Sequence, residues 1–181
     1  FRFEQRCRDY RWLEEVLDAP SLTRPRGYEF PVPRSLPDAQ DQGESLAVEE
    51  RNRLALGSDP VLDAFQVVES QGVRVILMRL ESTEATGICV VDSELGACLM
   101  VNTALDPNRR SYDLLHEYCH LLVDEFDGAN RSGETQDDHD VVERRANAFA
   151  AAFLLPQDGI ARFMETRGVD RKDARLPDVL A

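Results

Sequence analysis

Two histidines four residues apart, with a glutamate directly after the first, are the residues of this sequence best suited to chemistry. They are His116, Glu117 and His120, within Leu114-Leu-His-Glu-Tyr-Cys-His-Leu-Leu122. On a helix, side chains at i and i+4 stack on one face, so both imidazoles can hold one cation while the glutamate stays available as a general base. Stepping about 100° per residue separates the segment into two arcs. Leu114, Leu115, Tyr118, Leu121 and Leu122 fall on one side, and Asp113, His116, Glu117 and His120 on the other. A helix of this kind buries its apolar side and presents the imidazoles to a cleft. The chain has only 3 histidines, and two of them stand in this motif, which argues against a chance pair on a solvated helix.

Two imidazoles leave a zinc site incomplete, because catalytic sites add a third protein ligand and keep a fourth position for water. The segment Val142-Glu-Arg-Arg-Ala-Asn-Ala-Phe-Ala-Ala-Ala-Phe-Leu-Leu-Pro156 offers Glu143. Glu143, Ala146, Asn147 and Ala150 share one face at helical spacing, and the small alanines let this helix approach the first one closely. Asn147 is then placed to hold a neighbouring backbone or ligand. His139, one turn before Glu143, competes as third ligand; its other readings are a hydrogen-bond donor to the oxyanion of peptide hydrolysis and a solvated side chain. The expected ion is a single zinc, with manganese and iron as alternatives.

The elements that must position these residues follow from local pattern. Residues 1–18 read as a helix, and residues 20–44, with Pro20, Pro25, Pro31, Pro33 and Pro37, as an irregular arm. Helices are expected from Ser45 to about Leu56 and from Asp59-Pro60 to Gly72. Val73–Leu80, Thr86–Val91 and Ala97–Thr103 read as strands, the last two joined by a turn around Ser93–Gly96. Helix returns over Asn108–Phe126 and over Asp140–Leu155, separated by a polar loop, Asp127–Asp138. Weaker helices follow Gln157 and Arg171. Helices, a small and mostly antiparallel sheet, then helices again give an α+β class. The expected organisation is an N-terminal helix and proline-rich arm over 1–44 and a catalytic domain over 45–181. The strand ending at Asn102 either pairs with an extended substrate by strand addition or is an edge strand merely capped by a loop.

The 4 cysteines, Cys7, Cys89, Cys98 and Cys119, form no CxxC pair and are too sparse for a secreted disulfide scaffold. They are expected as thiols in a reducing cytoplasm. Thiolate binds zinc strongly, so Cys89 or Cys98, on the hairpin before the metal helix, could reach the open position and hold the enzyme off; Cys119 belongs to the buried arc. The alternative for each is a small core residue.

With 181 residues, 43% of them hydrophobic and 30% charged, the chain suits one globular domain with a real core. No run reaches the roughly 18 apolar residues of a membrane helix. A net charge of −13 repels phosphate backbones and makes duplex DNA a poor ligand for the body of the protein. Arg2, Arg6, Arg8 and Arg11 form a local basic exception, which reads first as one solvated face of a helix and otherwise as a nucleic-acid contact. A chain beginning at Phe1 rather than Met is expected to be part of something longer.

Residues 116–120 and 143–156 together resemble the ImmA/IrrE metallopeptidase family, which pairs HExxH with a downstream E-x-x-A-N-x-F-A segment closing on leucines and a proline. The correspondence holds at His116, Glu117, His120, Glu143, Ala146, Asn147, Phe149, Ala150, Leu154, Leu155 and Pro156. It extends over about residues 45–165, and Cys119 stands where the family often has glycine. The resemblance implies a minimal thermolysin-like (zincin) domain with HExxH on a central helix. It also implies an upstream helix-turn-helix domain in many members, and a protein substrate that is a transcriptional repressor, cut to release phage-defence, mobile-element or stress-response genes. The competing function is a metal-stabilised sensor or antitoxin module that binds a regulator without cutting it; Glu117, which zinc binding alone does not need, speaks against that.

Overall fold

The computed structural model describes residues 2–19, 25–80, 86–123 and 136–168. Six α-helices, three strands and a 3₁₀ turn appear among them: α1 (Arg2–Val16), α2 (Leu36–Arg53), α3 (Ala64–Glu69), β1 (Arg74–Met78), β2 (Gly87–Asp92), β3 (Gly96–Asn102), the 3₁₀ turn Pro107–Arg109, α4 (Arg110–Val123), α5 (Gln136–Leu154) and α6 (Gln157–Thr166). The class is α+β, as expected.

The sheet is mixed rather than mostly antiparallel, in the order β1-β3-β2. β3 runs parallel to β1, with Arg74 opposite Cys98 and Met78 opposite Asn102, and antiparallel to β2, with Cys89 opposite Leu99 and Gly87 opposite Val101. The β2–β3 turn is closed by Asp92, whose Oδ1 accepts from the Glu94 and Leu95 amides at 2.7 and 3.0 Å. Alternation along β3 divides the core in two. Ala97, Leu99 and Val101 face α4 in the main cluster, with Leu114, Leu115, Tyr118, Phe149 and Phe153. Cys98 and Met100 face the other way, into a smaller cluster with Phe3, Cys7, Ile76 and Leu95 beneath α1.

Two helix starts differ from expectation. α2 begins at Leu36, not Ser45, because Ser35 caps it (Oγ accepts from the Asp38 amide at 3.3 Å) and Pro37 fits the first turn. It therefore runs across the 44/45 boundary. α3 is capped by Asp63 rather than Asp59, through the Gln66 amide at 3.0 Å, so it starts at Ala64. α2 lies along α5 with almost no gap: a Cβ on Gly43 would stand 2.4 Å from the Arg145 carbonyl oxygen. The segment after the first prolines is not a detached arm, since the Tyr28 amide donates to the Leu122 carbonyl at 2.7 Å, at the end of α4.

Glu50 ties these pieces together. Fully buried on α2, its carboxylate accepts from Tyr118 of α4 at 2.6 Å, from Tyr28 at 2.7 Å and from Arg53 at 2.6 and 2.7 Å. Burial works to raise its pKa, but the Arg53, Tyr118 and Tyr28 hydrogen bonds outweigh it and hold the carboxyl below its ordinary range. Among the described residues no helix is long and apolar enough to cross a membrane. The expected loop over 127–138, except for the first residues of α5, and the helix after Arg171 lie outside the described residues.

Candidate metal centre

α4 carries both histidines and does so in the predicted orientation. Leu114, Leu115, Tyr118, Leu121 and Leu122 are buried in the core, which turns His116, Glu117 and His120 toward the side where α5 crosses. Asp113 departs from the expected arc: it is 2% exposed, 3.6 Å from Arg109, and burial raises its pKa. α5 supplies Glu143, held near α4 by the small faces of Ala146 and Ala150, both fully buried.

The two helices converge on a common point. His116 Nε2 lies 3.1 Å from Glu143 Oε2 and 3.2 Å from His120 Nε2, and His120 Nε2 lies 3.5 Å from Glu143 Oε1. One ligand atom from each of the three residues falls within 4.8 Å of the others. Tetrahedral zinc with bonds of about 2.0–2.2 Å holds neighbouring ligand atoms roughly 3.3 Å apart, so the trio has the spacing and the chemistry for one such ion. The imidazole planes stand at 71° to each other, so the rings approach edge-on and do not stack.

Hydrogen bonds behind the trio set its tautomer. His116 Nδ1 is 3.1 Å from Asn147 Oδ1, which also accepts from the Tyr112 hydroxyl at 2.7 Å. With the amide oxygen facing the ring, Nδ1 carries the proton and Nε2 presents its lone pair. Burial alone would lower the His116 pKa, but Glu143 outweighs it and the imidazole is raised; reciprocally, the His116 hydrogen bond holds Glu143 below its usual range. The Glu143 carboxylate thus points at the Nε2 atoms of His116 and His120, the place a cation would take.

Glu117 sits one step away, against the sheet. A Cβ added to Gly87 would meet Glu117 Cγ at 2.5 Å and Oε1 at 2.8 Å, so only glycine lets β2 approach this carboxyl. Burial pushes the Glu117 pKa up, with His120 and His116 pulling against it. A carboxyl raised in this way is better matched to proton transfer near neutrality.

His139 lies one turn before Glu143, its Nε2 3.8 Å from Glu143 Oε1 and its side chain 58% exposed. It stands at the rim and outside the ligand trio. A groove of about 570 Å³ opens beside Glu143 and Asn147, bounded by Leu36, Pro37, Gln40 and Arg144.

Two expectations are corrected here. Asn102 does not offer a substrate strand: β3 is the central strand, with both edges already paired, and Asn102 is buried with its Oδ1 accepting from the Leu80 and Ala104 amides. Among the described residues β2, with Gly87 beside Glu117, is the edge strand next to α4. Cys98 cannot reach the site, because alternation puts it on the opposite face from Leu99 and α4. Cys89 faces α4 but is buried in the main cluster, and neither cysteine belongs to the ligand trio.

Gly87 and Tyr112 are the site residues that sequence reasoning missed. A glycine inside a strand marks close approach, and Tyr112 stands four residues before His116 on the same stripe; both signals were available.

A search of curated proteins finds no match. The family model of the M78 peptidases, described as the IrrE N-terminal-like domain, matches residues 68–180. This span covers more than half of the chain and contains His116, Glu117, His120, Glu143 and Asn147, and the chain therefore belongs to that metallopeptidase-type family.

Proposed function

We propose that this chain is a zinc-dependent endopeptidase acting on a specific protein partner, a helix-turn-helix transcriptional repressor, in the cytoplasm. The observation that carries the reading is the convergence of His116, His120 and Glu143 within 4.8 Å, with the carboxyl of Glu117 held beside them by Gly87. The repressor substrate, and the release of phage-defence, mobile-element or stress-response genes, rest on the family resemblance.

His116, His120 and Glu143 would hold the ion, which when bound supplies a Lewis acid that polarises the peptide carbonyl and acidifies a water. Asn147 keeps the His116 proton on Nδ1. Glu117 accepts a proton from the attacking water at its carboxylate and delivers it to the leaving nitrogen. An extended substrate adds to the edge of β2, main chain to main chain, with a side chain entering the groove bounded by Leu36 and Arg144. His139, at the open side of Glu143, is placed to donate to the carbonyl oxygen as charge develops. An N-terminal segment over 1–44 with a catalytic domain over 45–181 is part of the same proposal, although α2 runs through that boundary.

Glu117→Gln separates catalysis from metal binding. The zinc content of purified protein should stay at one ion per chain, while cleavage of repressors encoded beside the gene should fall by at least about 10²-fold. Retained cleavage removes Glu117 from its role; cleavage absent in both proteins, with zinc bound, favours the non-cleaving sensor.

A further inference from the structure

A second group of reactive side chains lies on the other face of the sheet, beneath α1. Cys7 of α1 and Cys98 of β3 are both fully buried and pack in the same small cluster between α1 and the sheet. Arg74, directly opposite Cys98 in the parallel β1–β3 register, is 3% exposed. Its guanidinium donates to the Leu95 carbonyl, which also accepts from Cys98 Sγ at 3.7 Å, and to the Glu14 carboxylate of α1 at 2.5 Å. Two thiols, one buried cation and its counter-ion therefore meet where α1 seats on the sheet. None of them takes part in the metal centre, which lies across the sheet.

We propose that Cys7 and Cys98 are a redox-modification site, a dithiol that a hydroperoxide converts into a disulfide joining α1 to β3. The two sulfurs are not equivalent. The proximity of Cys7 lowers the Cys98 pKa, with Arg74 adding its charge, against an opposing effect of burial. Cys7 is raised by its proximity to Cys98 and by burial. Cys98 is thus the more acidic thiol and the one that attacks as its thiolate, and Cys7 the thiol that resolves.

In the first step the Cys98 thiolate attacks one oxygen of hydrogen peroxide. The O–O bond breaks, hydroxide leaves and takes up a proton as water, and Cys98 becomes a sulfenic acid. In the second, Cys7 sulfur gives up its proton and attacks the Cys98 sulfur. The S–S bond forms, the S–O bond breaks, and a second water leaves. Two thiols lose two electrons in total, and one peroxide gains them.

Access requires α1 to lift. This helix presents Trp12, Leu13 and Val16 at 60, 49 and 60% exposure, so it has a large unburied side, as elements that open below global unfolding do. Oxidation then adds a covalent tie between α1 and β3, which stabilises by closing a long loop in the unfolded chain.

The test uses the full chain, treated with millimolar hydrogen peroxide, quenched with catalase, denatured and titrated for thiols. From the 4 cysteines of the sequence, wild type should fall from four thiols to two, and Cys89→Ala from three to one. Cys98→Ala should keep three, whereas Cys7→Ala should lose the Cys98 thiol to sulfenic acid, keep two and form no disulfide. The thermal midpoint of oxidised wild type should rise by about 5–10 °C and return on reduction. Peptide mapping of wild type covers the case in which a cysteine variant fails to fold: the linked peptides should join Cys7 to Cys98. Four thiols remaining after amide exchange shows that α1 has opened, or a disulfide joining any other pair, would overturn the proposal.

Discussion

Asn147 Oδ1 accepts from Tyr112 and lies at hydrogen-bond distance from His116 Nδ1, and this shared oxygen would decide which nitrogen of His116 faces a bound cation. Removing it frees the ring to turn and to move its proton. Asn147→Ala should raise the dissociation constant for zinc by about 10- to 100-fold in competition with a chelating dye, as loss of an outer hydrogen-bond partner does elsewhere. Asn147→Asp, which keeps an acceptor in place, should recover most of the affinity; equal loss in both variants would show that Asn147 only packs. Much of this arrangement was legible in the sequence. The i, i+4 spacing of His116 and His120, and of Glu143 and Asn147, is local, so a helix period suffices to orient it. Asn102 and Cys98 were misjudged for the opposite reason. Their roles depend on which strand is central and which face each residue takes, and that is fixed by pairing between distant segments.

The contact between β2 and α4 makes a prediction of its own. Gly87→Ala would place a methyl group within 2.5 Å of the present position of Glu117 Cγ, so the carboxyl must turn away while the metal ligands stay put. Peptide cleavage should fall by roughly 10²-fold with zinc affinity unchanged, and a parallel loss of zinc would mean that the strand supports the ligands instead. The packing of α2 against α4 through Glu50 is a matter of stability. Because the folded state holds the Glu50 pKa below its unfolded value, the stabilisation is present above the ordinary carboxyl range of about 4.3. It is lost as pH falls through the depressed folded value. Glu50→Gln should therefore cost about 2–3 kcal/mol at pH 7 in urea unfolding, and the gap to wild type should narrow below about pH 4. A gap independent of pH would show that shape, not charge, is what α2 contributes. Glu50 escaped the sequence reading because a buried glutamate and a solvated one look alike until the partners, 22 and 68 residues away, are brought together.

The molecule as a whole is two chemically separate faces of one three-stranded sheet. α4 and α5, held by α2, bring together the candidate metal ligands on one face; α1 covers two buried cysteines on the other. The basic start of the chain belongs to this packing: Arg8 pairs with Glu4 at 2.6 Å, Arg6 with Asp9 at 3.6 Å, and Arg11 with Glu15 at 3.2 Å. Helix α1 thus spends much of its basic charge on its own acids. The division of faces also gives the most direct test of the central claim, that His116, His120 and Glu143 hold the ion without help from a cysteine. X-ray absorption at the zinc edge of the loaded protein should show only nitrogen and oxygen neighbours, at about 2.0–2.2 Å. A sulfur neighbour at about 2.3 Å, or the same spectrum from a His116→Ala, His120→Ala double variant, would contradict the account.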